Sequence, residues 1–237
     1  METKYFNFSD VLGFGWRVMK ANFWFFVGVG IIYGIVNQLP NIISRAIRLL
    51  PLPKSVGLPL IILFTAAGWV IGIVVAIGLI KIALAFCDQQ RPRVGTLFDA
   101  MGCFWRYVGA MILYTLIMLA GFILLFIPGI IWAVKFSLCY YFVIDKGLDP
   151  IEALKASSRT TMGVKWQLFG FGILCGLINL LGLICLILGV FATYPTVLVA
   201  TALVYRQLMA QTPELAEFAI PGPQHQIEPA PLPDQQQ

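Results

Sequence analysis

The chain is poor in charge. Of its 237 residues only 11% are Asp, Glu, Lys or Arg, against 59% hydrophobic residues, and the mean hydropathy is +0.87. A soluble domain carries about 25% charged residues, so a water-facing surface cannot be covered from this composition. The solvent for most of the chain is lipid. Histidine is scarcer still, occurring once, at His225, which excludes a Ser-His-Asp triad or a histidine-built metal centre within the apolar segments. The five cysteines, at 87, 103, 139, 175 and 185, lack the paired spacing of a zinc site and read as reduced thiols packed as small hydrophobes. There is no phosphate-cradling glycine loop, and the acidic residues fall at the ends of apolar runs, so no paired-carboxylate site is expected in the bilayer. No enzyme and no cofactor are expected. The N-terminus has no signal-peptide cleavage pattern, and the first apolar run is expected to act as an uncleaved membrane signal.

What the chain does have is long apolar runs, at about 23–39, 58–86, 107–144 and 166–208. A membrane-crossing helix takes roughly 20 residues, so the first two runs are one span each and the last two must fold back. The expected breaks are Pro128-Gly129 and Leu188-Gly189, where proline removes a donor or glycine permits a turn. The fold class predicted is all-α, a polytopic membrane protein with six transmembrane helices over residues 1–210.

Lysine and arginine set the orientation. Lys4, Arg17, Lys20, Arg91, Arg93, Arg106, Lys146, Lys155, Arg159, Lys165 and Arg206 fall on one side of these spans. Arg45, Arg48 and Lys54 fall on the other, while Lys81 and Lys135 lie within spans. The bias puts both termini in the cytoplasm of a cell with an inner membrane. The net charge of +5 sits beside apolar runs rather than in a patch with interleaved aromatics, so the partner expected is the anionic headgroup layer and not nucleic acid.

The sequence also repeats. Asp10-Val11-Leu12-Gly13 with Trp16-Arg17 recurs as Asp99-Ala100-Met101-Gly102 with Trp105-Arg106, and more loosely as Glu152-Ala153-Leu154 leading to Arg159. In each copy the acid precedes the arginine by seven positions, one helical face, and a hairpin follows. Gly72 to Asp88 also aligns without a gap onto Gly129 to Asp145. The unit predicted is an amphipathic helix in the headgroup plane plus two spans, starting near 8, 95 and 150. The pairs Asp10–Arg17, Asp99–Arg106 and Glu152–Arg159 are accounted for by the helix dipole, acid at the start and base at the end.

The first hairpin carries an outer insertion at about 40–57, where Asn41, Ser44, Arg45 and Arg48 share a face, read as a short helix on the outer leaflet ended by Pro51 and Pro53. From 211 to 237 the chain turns to proline and glutamine, a composition expected to be a disordered cytoplasmic tail, in which Pro229 to Pro233 could engage a protein partner.

Lys135 breaks the symmetry, its counterparts being Gly78 and, in a looser register, Pro195. A charge within a span is a functional-site hypothesis. With Tyr194 at similar depth and Asn37 and Gln38 near the outer end of the first span, it could line an outward-facing pocket for an anionic group; the plainer reading is that it snorkels to headgroups.

The pattern Phe126-Ile127-Pro128-Gly129-Ile130, Asp145, Glu152-Ala153-Leu154-Lys155-Ala156-Ser157, Gly163 and Trp166 resembles a broad prokaryotic family of multi-span proteins related to the membrane domain of glycerophosphoryl diester phosphodiesterases. The resemblance covers roughly 95–208. It implies a bacterial inner-membrane setting and transfers no phosphodiesterase activity, because the hydrolase domain of some relatives is absent. The function expected is non-enzymatic, organising lipid or supporting a partner as an accessory or scaffold. The alternative is a small transporter or channel with Lys135 at its site.

Overall fold

The computed structural model describes residues 4–50, 53–90, 92, 95–96, 101–124, 126–184, 188–212 and 215, and among these every regular element is a helix. In chain order these are α1 (Phe8–Ala21), α2 (Phe23–Leu49), α3 (Lys54–Cys87), α4 (Phe104–Leu124), α5 (Phe126–Phe136), α6 (Cys139–Lys146), α7 (Pro150–Thr160), α8 (Lys165–Ile184) and α9 (Leu188–Ala210). Among the described residues, five stretches are long and apolar enough to cross a membrane: 23–49, 55–87, 104–124, 128–146, which runs through α5 and α6, and 165–184. Asp99 with its neighbours 97–100, Arg91, Arg93, Pro51, Cys185 and nearly all of the proline-rich tail lie outside the described residues.

Helices α2 and α3 form an antiparallel pair, with Phe25 and Phe26 against Phe86 at one end and Ser44 beside Thr65 toward the other. The outer insertion is not a separate helix. α2 runs unbroken through Pro40 to Leu49, because the prolyl ring seats where a side chain at Gly68 would otherwise stand, and a neighbouring helix that leaves such room lets a membrane helix tolerate proline. At 1.5 Å per residue α2 and α3 are about 40 and 50 Å long, more than a hydrocarbon layer of about 30 Å.

The second hairpin turns earlier than the proline suggests. α4 ends at Leu124 and α5 begins at Phe126, which puts Pro128 in the first turn of α5, where its missing N–H costs nothing. Gly129 serves packing instead: a Cβ on Gly121 would lie 3.0 Å from Gly129 Cα and 2.9 Å from Trp132. Gly182 and Gly189 bring α8 and α9 together with the same closeness, so Gly189 likewise lies inside a helix contact; residues 185–187 are outside the described residues.

The buried core gathers at one end of the bundle. Val75, Ile77 and Ile82 of α3, Phe142 and Val143 of α6, and Val199, Tyr205 and Leu208 of α9 are almost wholly covered. Leu58, Ile62, Leu63 and Trp69, earlier in α3, are uncovered by protein. Helices α1 and α7 pack at this covered end. α1 buries Val11, Gly15 and Met19 against α9, so closely that a Cβ on Gly15 would sit 3.3 Å from the Ala200 nitrogen, while Phe6 and Phe8 meet Phe171 of α8. α7 buries Ala153, Leu154, Ala156, Ser157 and Thr160. In α1 and α7 these residues are therefore covered by protein; of the corresponding segment near 95, residues 97–100 lie outside the described residues and Trp105 is exposed. Small residues on the covered faces of α1 and α7 make the approach possible.

Candidate functional site

The ends of α3, α6 and α9 meet in a polar knot within the apolar core. Arg206 of α9 donates through Nη1 to Asp145 Oδ2 at 2.8 Å and through Nη2 to Asp88 Oδ2 at 2.6 Å. Tyr205 Oη donates to the same Asp145 oxygen at 2.9 Å, and Lys146 Nζ stands 3.5 Å from it. The side chains of Asp145, Lys146 and Arg206 are 7%, 10% and 15% exposed, that of Asp88 31%. Two cations thus face two carboxylates, a balance that burial in a poor dielectric demands. Arg206 Nε is buried without a partner, so the guanidinium spends its two outer nitrogens in fork geometry on two different carboxylates. Tyr205 stacks on Tyr141 at 5.4 Å and meets Phe142 edge-on at 4.9 Å, which fixes the helix carrying Arg206 against α6. Two carboxylates are therefore brought together at helix ends, where acidic residues were expected, and Arg206 bridges them while Lys146 supplies the second positive charge.

A signal for this knot was in the sequence. The aligned segments Gly72–Asp88 and Gly129–Asp145 end on the two carboxylates that Arg206 bridges. The looser register that lays Lys135 on Pro195 lays Asp145 on Tyr205, the hydroxyl that shares Asp145. Each partner taken alone looks like an ordinary helix-end charge, which hides the cluster.

The four residues expected around one outward pocket fall in two places. Tyr194 stacks on Tyr33 at 6.3 Å, on the helix that also carries Asn37 and Gln38. Asn37 donates to the Tyr33 carbonyl at 3.1 Å, and Gln38 accepts from Asn41. Tyr33 and Tyr194 border an apolar cavity of about 390 Å³ between α2 and α9. Lys135 is set elsewhere, at the end of α5, with its ammonium 5.2 Å from the Phe136 ring. Its carbonyl accepts from Ser157 Oγ at 2.9 Å and Thr161 Oγ1 at 3.1 Å, and Ser157 Oγ also accepts from the Leu138 N–H at 3.3 Å. Between α5 and α6 the helical ladder is interrupted, and hydroxyls of α7 occupy the freed backbone groups, as broken helices at membrane depth require. The part of Lys135 that the fold uses is its carbonyl.

The interfacial charges are placed as follows. Asp10 lies in the first turn of α1, and Arg17 and Lys20 on its exposed side, Lys20 over Trp16 at 5.0 Å. Arg106 Nε reaches Asp149 at 3.3 Å, tying α4 to the N-terminal cap of α7. Glu152 is in the first turn of α7 and Arg159 in the last. Lys4 donates to the carbonyls of Arg159 and Thr160 at 3.0 and 3.3 Å, and Gln211 exchanges two hydrogen bonds of 2.9 Å with Tyr5. The N-terminal segment thus ties the ends of α7 and α9 together. Compared with protein families, with curated proteins and with solved structures, the chain matches none.

Proposed function

We propose that this chain is a six-span protein of the cytoplasmic membrane, with both termini inside, that acts without enzymatic chemistry by gathering anionic lipid at its cytoplasmic face and supporting a partner there. The observation that carries this reading is a set of three exposed tryptophans. Trp24, Trp105 and Trp166 are each the second residue of a helix, α2, α4 and α8, and they are 82%, 80% and 81% exposed. Uncovered indoles at matching positions, each close to a cation in Lys20, Arg106 or Lys165, mark a membrane–water boundary. The ends of α3, α6 and α9 that meet at Arg206 lie at the same end of the bundle, where most of the lysine and arginine falls, hence the cytoplasmic assignment.

On this reading α9 is the sixth span. Its 23 residues reach about 34 Å, and its covered face carries Val199, Ala200, Val204 and Leu208. Three hairpins with α1 and α7 at their cytoplasmic ends form a repeating unit. The test is the lipid retained by the full-length protein when it is released from membranes into detergent and weighed by native mass spectrometry. Enrichment of anionic phospholipid over its share in the bulk membrane is expected, and a retained population matching the bulk would refute the reading.

A further inference from the structure

Helix α7 stands between two adjoining clefts of opposite character. On one side, against α6, lies a cleft of about 340 Å³ whose polar lining is Lys146, Lys155, Arg159 and Glu152, with Phe142 and Leu215 among its apolar walls. Among the described residues three cations and one carboxylate line it, which makes it the basic cleft. Lys146 forms its link to the buried knot, being 3.5 Å from Asp145. On the other side, against α4, lies a crevice of about 730 Å³ lined by Ile112, Leu113, Leu116 and Pro150, with Glu152 and Lys155 again at its edge. Ile112 and Leu116 are both 57% exposed and stand one turn apart on α4, so they form an uncovered apolar track. The carboxylate at the crevice mouth, Asp149, is paired with Arg106. Gly109 makes the approach of α7 to α4 possible, since a Cβ there would meet Pro150 at 2.9 Å.

Glu152 and Lys155 line both clefts, so the basic lining and the apolar track are continuous across one helix. A soluble anion would use only the first; a molecule with a charged head and an apolar tail uses both. We infer that α7 holds one anionic phospholipid, its phosphodiester among Lys146, Lys155 and Arg159 and an acyl chain along Ile112 and Leu116 of α4. This rests on the lipid-gathering role proposed above and gives it a location. Arginine offers the phosphate two parallel donors and lysine a mobile point charge. Glu152 repels an anion, which sets a modest affinity suited to exchange with the surrounding bilayer.

The test uses the full-length protein in detergent, titrated with phosphatidylglycerol or with phosphatidylcholine of the same acyl chains, and bound lipid is counted by native mass spectrometry. Wild type should prefer phosphatidylglycerol. Each cation removed near an anionic headgroup changes binding roughly five-fold, so Lys155→Gln with Arg159→Gln should weaken it about twenty-five-fold, while Glu152→Gln should strengthen it. Lys155, Arg159 and Glu152 are exposed, so these variants should melt like wild type, and Arg48→Gln at the far end of α2 should leave the binding unchanged. A clear phosphatidylglycerol preference that survives the double substitution would overturn the site and leave the general role standing. Equal binding of the two lipids by wild type would overturn both. Complete displacement of phosphatidylglycerol by millimolar inorganic phosphate would show that a soluble anion is the occupant and overturn the lipid.

Discussion

Replacing Arg206 by methionine keeps much of the side-chain volume and deletes the charge. Asp145, 7% exposed, and Asp88, 31% exposed, would then face each other with only Lys146 at 3.5 Å and the Tyr205 hydroxyl to answer them. Breaking a buried pair from one side costs about 3–5 kcal/mol, because an uncompensated charge is left behind. For a chain of this length each kcal/mol moves the melting temperature by about 2–4 °C, so the loss should be about 6–20 °C. Arg206→Lys should cost less, about 1–2 kcal/mol, since a single ammonium keeps the charge but cannot place separate donors on two carboxylates. Asp145→Asn should cost more than Asp88→Asn, because Asp145 is more deeply covered and serves three donors. The decisive comparison is Arg206→Met combined with Asp145→Asn. Removing both charges takes away the stranded carboxylate, so the pair should be less damaging than the two single losses added together. The assay is thermal unfolding in detergent followed by the fluorescence of the six tryptophans. A melting point for Arg206→Met within a degree or two of wild type, or strict additivity in the double variant, would refute the account of the knot.

Ser157→Ala and Thr161→Val should each destabilise by about 0.5–1.5 kcal/mol, because the Lys135 carbonyl at the α5–α6 interruption then keeps one hydroxyl donor of two; thermal unfolding reads this directly. Lys135→Met should change stability by no more than about 0.5 kcal/mol, since that site depends on the backbone of Lys135 and keeps it. Gly15→Ala should cost about 1–3 kcal/mol, as the added methyl meets the backbone of Thr196 and Ala200 and not a side chain that could swing away. In a cysteine-free background, Arg48→Cys should label from outside intact cells and Gln211→Cys should not, and the reverse pattern would overturn the orientation.

Sequence reading went furthest where the physics is one-dimensional. Hydrophobic run lengths locate the helices because a bilayer imposes a minimum length on anything that crosses it, and the acid-then-base order of α1 and α7 follows from the helix dipole. It failed where a residue's role depends on what comes to meet it. Proline at 40 looks like a helix end until Gly68 is seen to make room for the ring. Proline at 128 looks like a turn, yet it lies three residues into a helix, the other place where proline is cheap. The faces of α1 and α7 look lipid-seeking by hydrophobicity, and only the small residues Gly15, Ala153, Ala156 and Ser157 hint that another helix covers them.

Lys135 drew attention because it broke a repeat, and the same reasoning applied at the ends of the hairpins would have found the knot. In the register that aligns Asp88 with Asp145, the third position is Tyr205, and the residue after it in each copy is Gln89, Lys146 and Arg206. Three hairpin ends that converge with an aspartate on each would bring three negative charges into one poorly solvated place, at a repulsive cost that grows as water is excluded. The third copy instead carries a neutral donor, Tyr205, followed by the most strongly basic side chain available. Tyr205 reaches Asp145, 60 residues away, and Arg206 reaches both Asp145 and Asp88, 61 and 118 residues away. Departures from repetition therefore divide into two kinds. At some, such as Lys135, the fold draws on the backbone carbonyl, which any residue supplies. Others, such as Tyr205 and Arg206, supply what the faithful copies cannot provide for themselves. Substitution tells them apart: exchange at the first kind is tolerated, and exchange at the second strands the carboxylates of the other hairpins.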